Sequence, residues 1–440
     1  MPARSRSVFF QWAGAGLAPR PPFSSAFRPM LLRVQLLRRR FTATLIVVGL
    51  VAFTGCATVP DRPQVIVTGD AVVDGNAQRA AAPVKDRALW DFRVAASALR
   101  AANPAEAKLR LDDALPLIGG ILANDADAKR ARGLFSAEST KTFIGEPYER
   151  VMAYYYRGLL YWRDGQPDNA RACYRSGQLI DSDAEAVDNK SDYVLLDYLD
   201  GFASAKLAGD GSDAFARARA NAKGKTLPPY DPAANVLIFA EYGRGPRKYS
   251  GGEYGEQLKF FTKDSAAHSA TLAVNGETVV LPAYDDLNFQ ATTRGGRVMD
   301  HILGGKAVFK RNTDVVGNVA LVGAAIAADN AYGRRRRPDG TIETYGNRDA
   351  QTAAVALGAI GLLSKLASAA TTPQADIRMW DNLPQRLSFA ALRLGPGEYP
   401  ATLEFQDAAG STLPGLTQTL KIQVEPADRD TVIFLSELKR

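Results

Sequence analysis

The chain has 440 residues, 46% of them hydrophobic and 9% aromatic, enough apolar content for two or three domains with cores of their own. Its formal charge of +7 is unevenly placed: the first 55 residues carry eight arginines, no lysine and no acid, so the remaining 385 hold 46 basic and 47 acidic side chains, a net of −1. That near-neutral balance argues against a nucleic-acid surface, and two cysteines, Cys56 and Cys173, are too few for a disulfide-stapled scaffold.

From Met30 the chain reads MLLRVQLLRRRFTATLIVVGLVAFTGC, a basic segment (Arg33, Arg38, Arg39, Arg40), an apolar stretch from Phe41 to Phe53, then Thr54-Gly55-Cys56. An apolar run this short has the length of a signal-peptide core and is too short to span a bilayer. Phe53-Thr54-Gly55-Cys56 resembles the lipobox of bacterial lipoproteins, with Phe53 where Leu is more usual. The resemblance implies cleavage before Cys56, a diacylglycerol on its sulfur and a fatty acyl chain such as palmitate on the new amino group. Each buried methylene contributes about 0.8 kcal/mol, so several chains anchor almost irreversibly. Residues 1–29 precede this complete signal and are read as an upstream start assigned in error, a longer basic leader being the alternative. Residues 1–55 are thus a leader, and 56–84, with little periodicity, a tether. Ala57 after the cysteine, where Asp would favour inner-membrane retention in enteric bacteria, implies an outer-membrane lipoprotein facing the periplasm.

Residues 85–223 are helical in pattern, with Ala, Leu and Tyr spaced by three and four. Within Val151–Ser182, Tyr154, Gly158, Tyr161, Ala170, Tyr174 and Gly177 resemble the tetratricopeptide repeat (TPR), a helix pair recurring about every 34 residues. Ser182 stands where that family usually has Pro. Gly158 and Ala170 suit a close crossing of two antiparallel helices, and Asp164-Gly165-Gln166-Pro167 supplies the turn, Pro167 opening the second helix. Weaker copies flank it, turning at Asn103-Pro104 and at Gly209-Asp210-Gly211; an ordinary alanine-rich bundle is the alternative. The resemblance implies a concave partner-binding face carrying Met152, Tyr155, Leu159 and Trp162, with Arg163 at its edge. The same residues could instead pack against neighbouring repeats.

Residues 224–374 form a mixed α/β middle region. Val236–Tyr242 reads as a buried strand, Gly243–Gly255 as a long loop, and Ala270–Leu281 as a hairpin turning at Asn275-Gly276, which supplies two positive φ angles. Two small-residue segments follow, Val315–Ala328 and Ala353–Leu363. A membrane hairpin with close contacts at Ala320/Ala324 and Ala354/Gly358 is one reading. A span needs about 20 residues, so the pair is expected instead to be buried core helices. Between them Arg334-Arg335-Arg336-Arg337 and a turn at Asp339-Gly340 form a polar excursion. Residues 375–440 alternate as four short strands and predict a small C-terminal β-sandwich packed against the middle region through Trp380 and Leu383. The fold class is α+β.

Chemistry-bearing motifs are sparse. His268 and His301 are the only histidines, and no H-E-x-x-H, paired-cysteine or G-x-S-x-G motif occurs. Gly304-Gly305-Lys306 lacks the leading glycine and following Ser/Thr of a phosphate loop. Asp285-Asp286 with Asp300 could pair as acid and base. No cofactor, metal site or catalysis is expected. The whole arrangement resembles poorly characterised TPR-containing lipoproteins of Gram-negative bacteria, which carry an Ala-Asp-x-Arg-x-Trp-x-x-Leu-Pro-like motif, here Ala375–Pro384. The expectation is a lipid-anchored, non-enzymatic scaffold that recruits an envelope protein, possible sites of action including cell-wall assembly. A component of an envelope export or secretion complex contacting lipid is the second reading, and a cell-wall enzyme the third.

Overall fold

In the computed structural model, which describes residues 66–118, 135, 137–182, 187–293, 298–329, 332–336, 342–346, 348–425 and 429–438, helices give way to strands as the periodicity predicts. The leader, Cys56 and the tether as far as residue 65 lie outside the described residues. Part of the expected tether is helix: α1 (Ala71–Ala81) starts at Asp70, whose side chain accepts from the Val72 and Val73 amides, and packs its Gly75 against Val94. Then come α2 (Arg87–Arg100), α3 (Pro104–Ile118), α4 (Pro147–Arg163), α5 (Pro167–Asp181), α6 (Val194–Lys206) and α7 (Ser212–Asn221). They pack as successive hairpins, α2 on α3, α4 on α5 and α6 on α7. The predicted close crossing is present: a Cβ at Gly158 would stand 2.5 Å from the Tyr174 ring, and Pro167 opens α5.

The strands are β1 (Val236–Arg244), β2 (Arg247–Gly251), β3 (Gln257–Phe261), β4 (Ser269–Val274), β5 (Glu277–Pro282) and β6 (Asp285–Asp286). After the short α8 (Leu287–Thr292) come α9 (Val298–Asp329), β7 (Tyr332–Arg336), β8 (Ile342–Gly346) and α10 (Arg348–Ala370). The chain closes with β9 (Pro384–Leu392), β10 (Gly397–Gln406), β11 (Gln418–Val424) and β12 (Thr431–Ser436). Asn275 and Gly276 take φ of 52° and 77°, as the β4–β5 turn requires. The stretch expected as a loop is a hairpin, β2 pairing with β3 from Arg247↔Phe261 to Gly251↔Gln257.

Two four-stranded sheets result, in the orders β12-β1-β9-β6 and β11-β10-β4-β5. This corrects the expected division at residue 375. The last four strands make no unit of their own, because β9 and β12 flank β1 in the first sheet while β10 and β11 extend β4 in the second. β1 is buried on both faces, which explains its unbroken apolar run. Leu237 and Phe239 join a core with the helices; Val236, Ile238, Ala240 and Tyr242 join a second core shared with the β4–β10 sheet. The first sheet is therefore the middle layer, helices on one side and the second sheet on the other.

Candidate functional site

The residues proposed as a partner-binding face are spent inside the fold. Met152, Tyr155, Leu159 and Trp162 are all 2% exposed or less; only Arg163, at the end of α4, is exposed. Tyr155 meets Phe239 of β1 edge to face with centroids 6.1 Å apart, and the Trp162 indole donates to Asp430 at 2.9 Å. The face of α4 that would grip a partner is covered by the chain's own sheet. An inward stripe of large aromatics suits either task, and here the sheet takes it.

Residues Ala375–Pro384 have a structural task. Arg378 forms ion pairs of 2.6 Å with both Asp376 and Asp86 and donates to the Lys141 carbonyl. These contacts hold its neighbour Asp376 below the usual carboxylate range, through hydrogen bonds and charge, against the opposing and larger effect of burial. Trp380 stacks on Phe92 at 4.6 Å, and its amide donates to Glu149, whose other oxygen accepts from Lys248 at 2.5 Å. Burial pushes the Glu149 carboxyl up while Lys248 opposes it. Glu241 is likewise a tie between layers, accepting from Arg100, Tyr156 and Ser436 at 2.7, 2.5 and 2.7 Å.

Asp285 and Asp286, two of the acidic candidates, are engaged by backbone amides. Asp285 is buried and accepts from the Val194 and Leu195 amides at 2.8 and 2.9 Å, satisfying the first turn of α6. Burial, with the neighbouring Asp192 and Asp181 carboxylates, raises it to about 7 against those amide bonds. Asp286 instead caps α8 through the Asn288 amide. Asp300 and His301 fall within α9, and their side chains are outside the described residues. His268 pairs with Asp264 at 3.3 Å. Gly304-Gly305-Lys306 lies inside α9, so it is no phosphate-binding loop. Among the described residues no three His, Cys, Asp or Glu side chains converge as a metal site. Burial lifts the Cys173 thiol to about 11, which suppresses the reactive thiolate. A cleft of about 720 Å³ lies between Leu99, Ala102 and strands β11 and β12; Ser436 on its wall donates to Glu241, the carboxylate already tied to Arg100 and Tyr156.

The feature left over is the pair α9–α10. At 32 and 23 residues these helices run about 48 and 35 Å, α9 leaving the body beside β3. They meet through small residues: a Cβ on Gly361 would stand 2.7 Å from Leu321, and one on Gly317 would stand 3.1 Å from Lys365. Ala324 faces Gly358. Lys365 pairs with Asp314 at 3.0 Å, and Lys310 donates to the Ser368 and Thr371 carbonyls at the C-terminal end of α10. Among the described residues nothing covers their outer sides. Val319, Val322, Val355 and Leu363 are 68, 60, 74 and 66% exposed. This corrects the expectation of buried core helices: beyond the first turns of α9, where Leu303, Lys306 and Ala307 are buried, the two helices bury chiefly the faces they turn to each other. Arg348–Ala370 is long and apolar enough to cross a membrane, with mean hydropathy 1.7 over its most apolar 18 residues. The two segments and their small-residue contact are legible in the sequence, while their exposure is not. Arg334–Arg336 lie in β7, and the Asp339-Gly340 turn is outside the described residues. Comparison of the chain with protein-family models, with curated proteins and with solved structures returns no match.

Proposed function

We propose that this chain is a lipid-tethered envelope protein whose α9–α10 hairpin embeds in the membrane, acting without catalysis as a structural component of an export or assembly complex. The observation that carries this reading is the apolar surface of the hairpin, which nothing among the described residues covers. A water-exposed surface of this kind calls for lipid or protein, and the leader resemblance at Cys56 supplies the lipid. The tether between Cys56 and α1 keeps the body near the bilayer, the outer membrane by the identity of Ala57. Basic residues Arg334–Arg337 between the helices favour anionic headgroups. The helical hairpins are read as TPR-like and the stacked sheets as a sandwich, both serving to hold the hairpin rather than to grip a peptide. This places the lipid-contacting component ahead of the scaffold acting through Tyr155 and Trp162, because those two side chains are occupied. The test is vesicle partition of a chain exported behind a cleavable secretory signal and beginning at Ala57, which lacks both leader and acyl chains. It is expected to float with vesicles of phosphatidylethanolamine and phosphatidylglycerol; a chain that stays folded and entirely in the aqueous fraction refutes the reading.

A further inference from the structure

Where β1 leaves the core, the chain builds a pocket of about 440 Å³. Gly243 takes φ of 75°, and a Cβ there would stand 2.7 Å from the Ser265 hydroxyl oxygen; one on Gly245 would stand 2.7 Å from the Pro384 carbonyl oxygen. Glycine lets the end of this strand lie that close to the loop after β3 and to the start of β9. The Arg244 amide then donates to the Ser265 hydroxyl at 2.8 Å, and the Ser265 amide to the Gln385 side chain at 2.9 Å, so loop and strand are fixed to each other. We infer that this pocket binds a phosphomonoester or diphosphate group, its oxygens held by Arg244, Arg247 and Lys263 and the esterified part lying on Phe261.

The charges select the ligand. Arg244, Arg247 and Lys263 line the pocket and are exposed, and among the described residues none of the three has a carboxylate within ion-pair distance. The two carboxylates of the wall are already engaged. Asp264 accepts from Gln385 at 2.9 Å and pairs with Arg386 and His268. The Gln385 hydrogen bond, followed by the Arg386 guanidinium, holds Asp264 below the usual carboxylate range against the effect of burial. Glu437 accepts from the Gly243 amide at 2.6 Å. With Arg386 included, four cations stand against these two carboxylates, so a dianion balances the pocket and a monoanion does not. A guanidinium offers its N–H groups in pairs that match phosphate oxygens, and the lysine adds a point charge. The Ser265 hydroxyl accepts from Arg244 and keeps its own proton to donate. Phe261 lies directly across from Arg247 in the β2–β3 register and is 60% exposed, an apolar wall for whatever the phosphate is joined to. The volume is that of a small-molecule site, with room beyond the phosphate for part of that group. These charges are the same whether or not α9–α10 enters lipid.

The full lipidated chain in neutral detergent is dialysed to equilibrium against phenyl phosphate, inorganic phosphate or dimethyl phosphate. Beside it run Arg247→Gln/Lys263→Gln and a charge-matched control, Lys190→Gln/Lys225→Gln, which changes exposed residues outside the pocket. Phenyl phosphate should bind about tenfold or more tighter than the monoanionic dimethyl phosphate, a comparison that needs no variant. The pocket variant should lose about tenfold or more, the control less than about twofold, all three chains unfolding at the same denaturant midpoint. Inorganic phosphate should bind more weakly than phenyl phosphate, and Phe261→Ser should remove that difference. Equal binding of phenyl and dimethyl phosphate, binding of neither, or equal losses in the two double variants overturns the assignment. Phosphatidic acid and phosphatidylglycerol added to the micelles then compete with phenyl phosphate. Displacement by phosphatidic acid alone places the phosphate on a lipid, and displacement by neither places it on a soluble ester; either result keeps the pocket as assigned. Equal displacement by phosphatidylglycerol, a monoanionic diester, overturns it.

Discussion

Replacing Val322 by Lys separates a hairpin that rests in water from one that rests in lipid. Val322 is 60% exposed near the middle of the apolar length of α9, and lysine is the better helix former. In water the change should move folding stability by no more than about 0.5 kcal/mol, as for other exposed substitutions. In hydrocarbon the balance is different. On an insertion scale a central lysine costs about 3 kcal/mol while valine is slightly favourable, so Val322→Lys should weaken partition by about 3 kcal/mol, on the order of a hundredfold. The control is Val280→Lys: this valine is equally exposed, at 59%, but lies on β5 of the body. Denaturant unfolding checks that all three chains fold alike, and a lipid titration by flotation, on chains beginning at Ala57, reads the partition coefficient. If Val322→Lys floats within threefold of the parent, or if Val280→Lys loses as much as Val322→Lys, the hairpin does not enter lipid and the argument from its exposed surface fails.

Other substitutions test how the body holds together. Trp162→Ala removes a side chain 1% exposed together with its bond to Asp430, and should cost about 3–5 kcal/mol in denaturant unfolding; a loss below about 1 kcal/mol would mean the α4 face is not core. Gly158→Ala places a methyl 2.5 Å from a Tyr174 ring carbon, so α4 and α5 must part or Tyr174 must move, at about 1–3 kcal/mol by the same measurement. Asp285→Asn alters the pH dependence. With a folded value near 7 against an unperturbed 3.8, native Asp285 keeps a proton that the unfolded chain has already lost, so its contribution to stability falls as pH rises from about 4 to 7. Relative to the parent, Asp285→Asn should gain stability across that interval, by up to about 4 kcal/mol, measured as the difference between the two unfolding curves at each pH. A difference that is flat with pH, or that slopes the other way, would mean the α6 amides hold Asp285 ionised.

The parts of this fold legible in the sequence are those set by residues close together in the chain. Asn275-Gly276 marks its turn because few other residue pairs take two positive φ angles cheaply. Gly158 marks a helix crossing because the Tyr174 ring lies against it within the same hairpin. Pairing across long separations left no such mark. Val236 lies beside Thr431 and Ile238 opposite Ala390, and nothing local to β9 or β12 says that both flank β1 rather than pair with each other. The apparent C-terminal unit dissolves for that reason, and β2–β3 leave little mark in the sequence because their alternation is broken by glycine and charges.

The two errors about burial have one cause. An apolar helical stripe records that a surface leaves water; it does not record what replaces the water. The stripe of α4 suits a partner-binding face or packing against neighbouring helices, and is covered by β1 and by α6, while the outer stripes of α9 and α10, which suit a core, are covered by nothing in the described residues. Within the α9–α10 contact the sequence was more informative, since Gly317, Ala324, Gly358 and Gly361 serve close helix approach in protein and in lipid alike. What distinguishes the two surroundings is position: α4 lies over the first sheet, whereas α9 runs about 48 Å from its first turn and takes α10 with it away from both cores. Hydropathy alone gives these stripes similar weight.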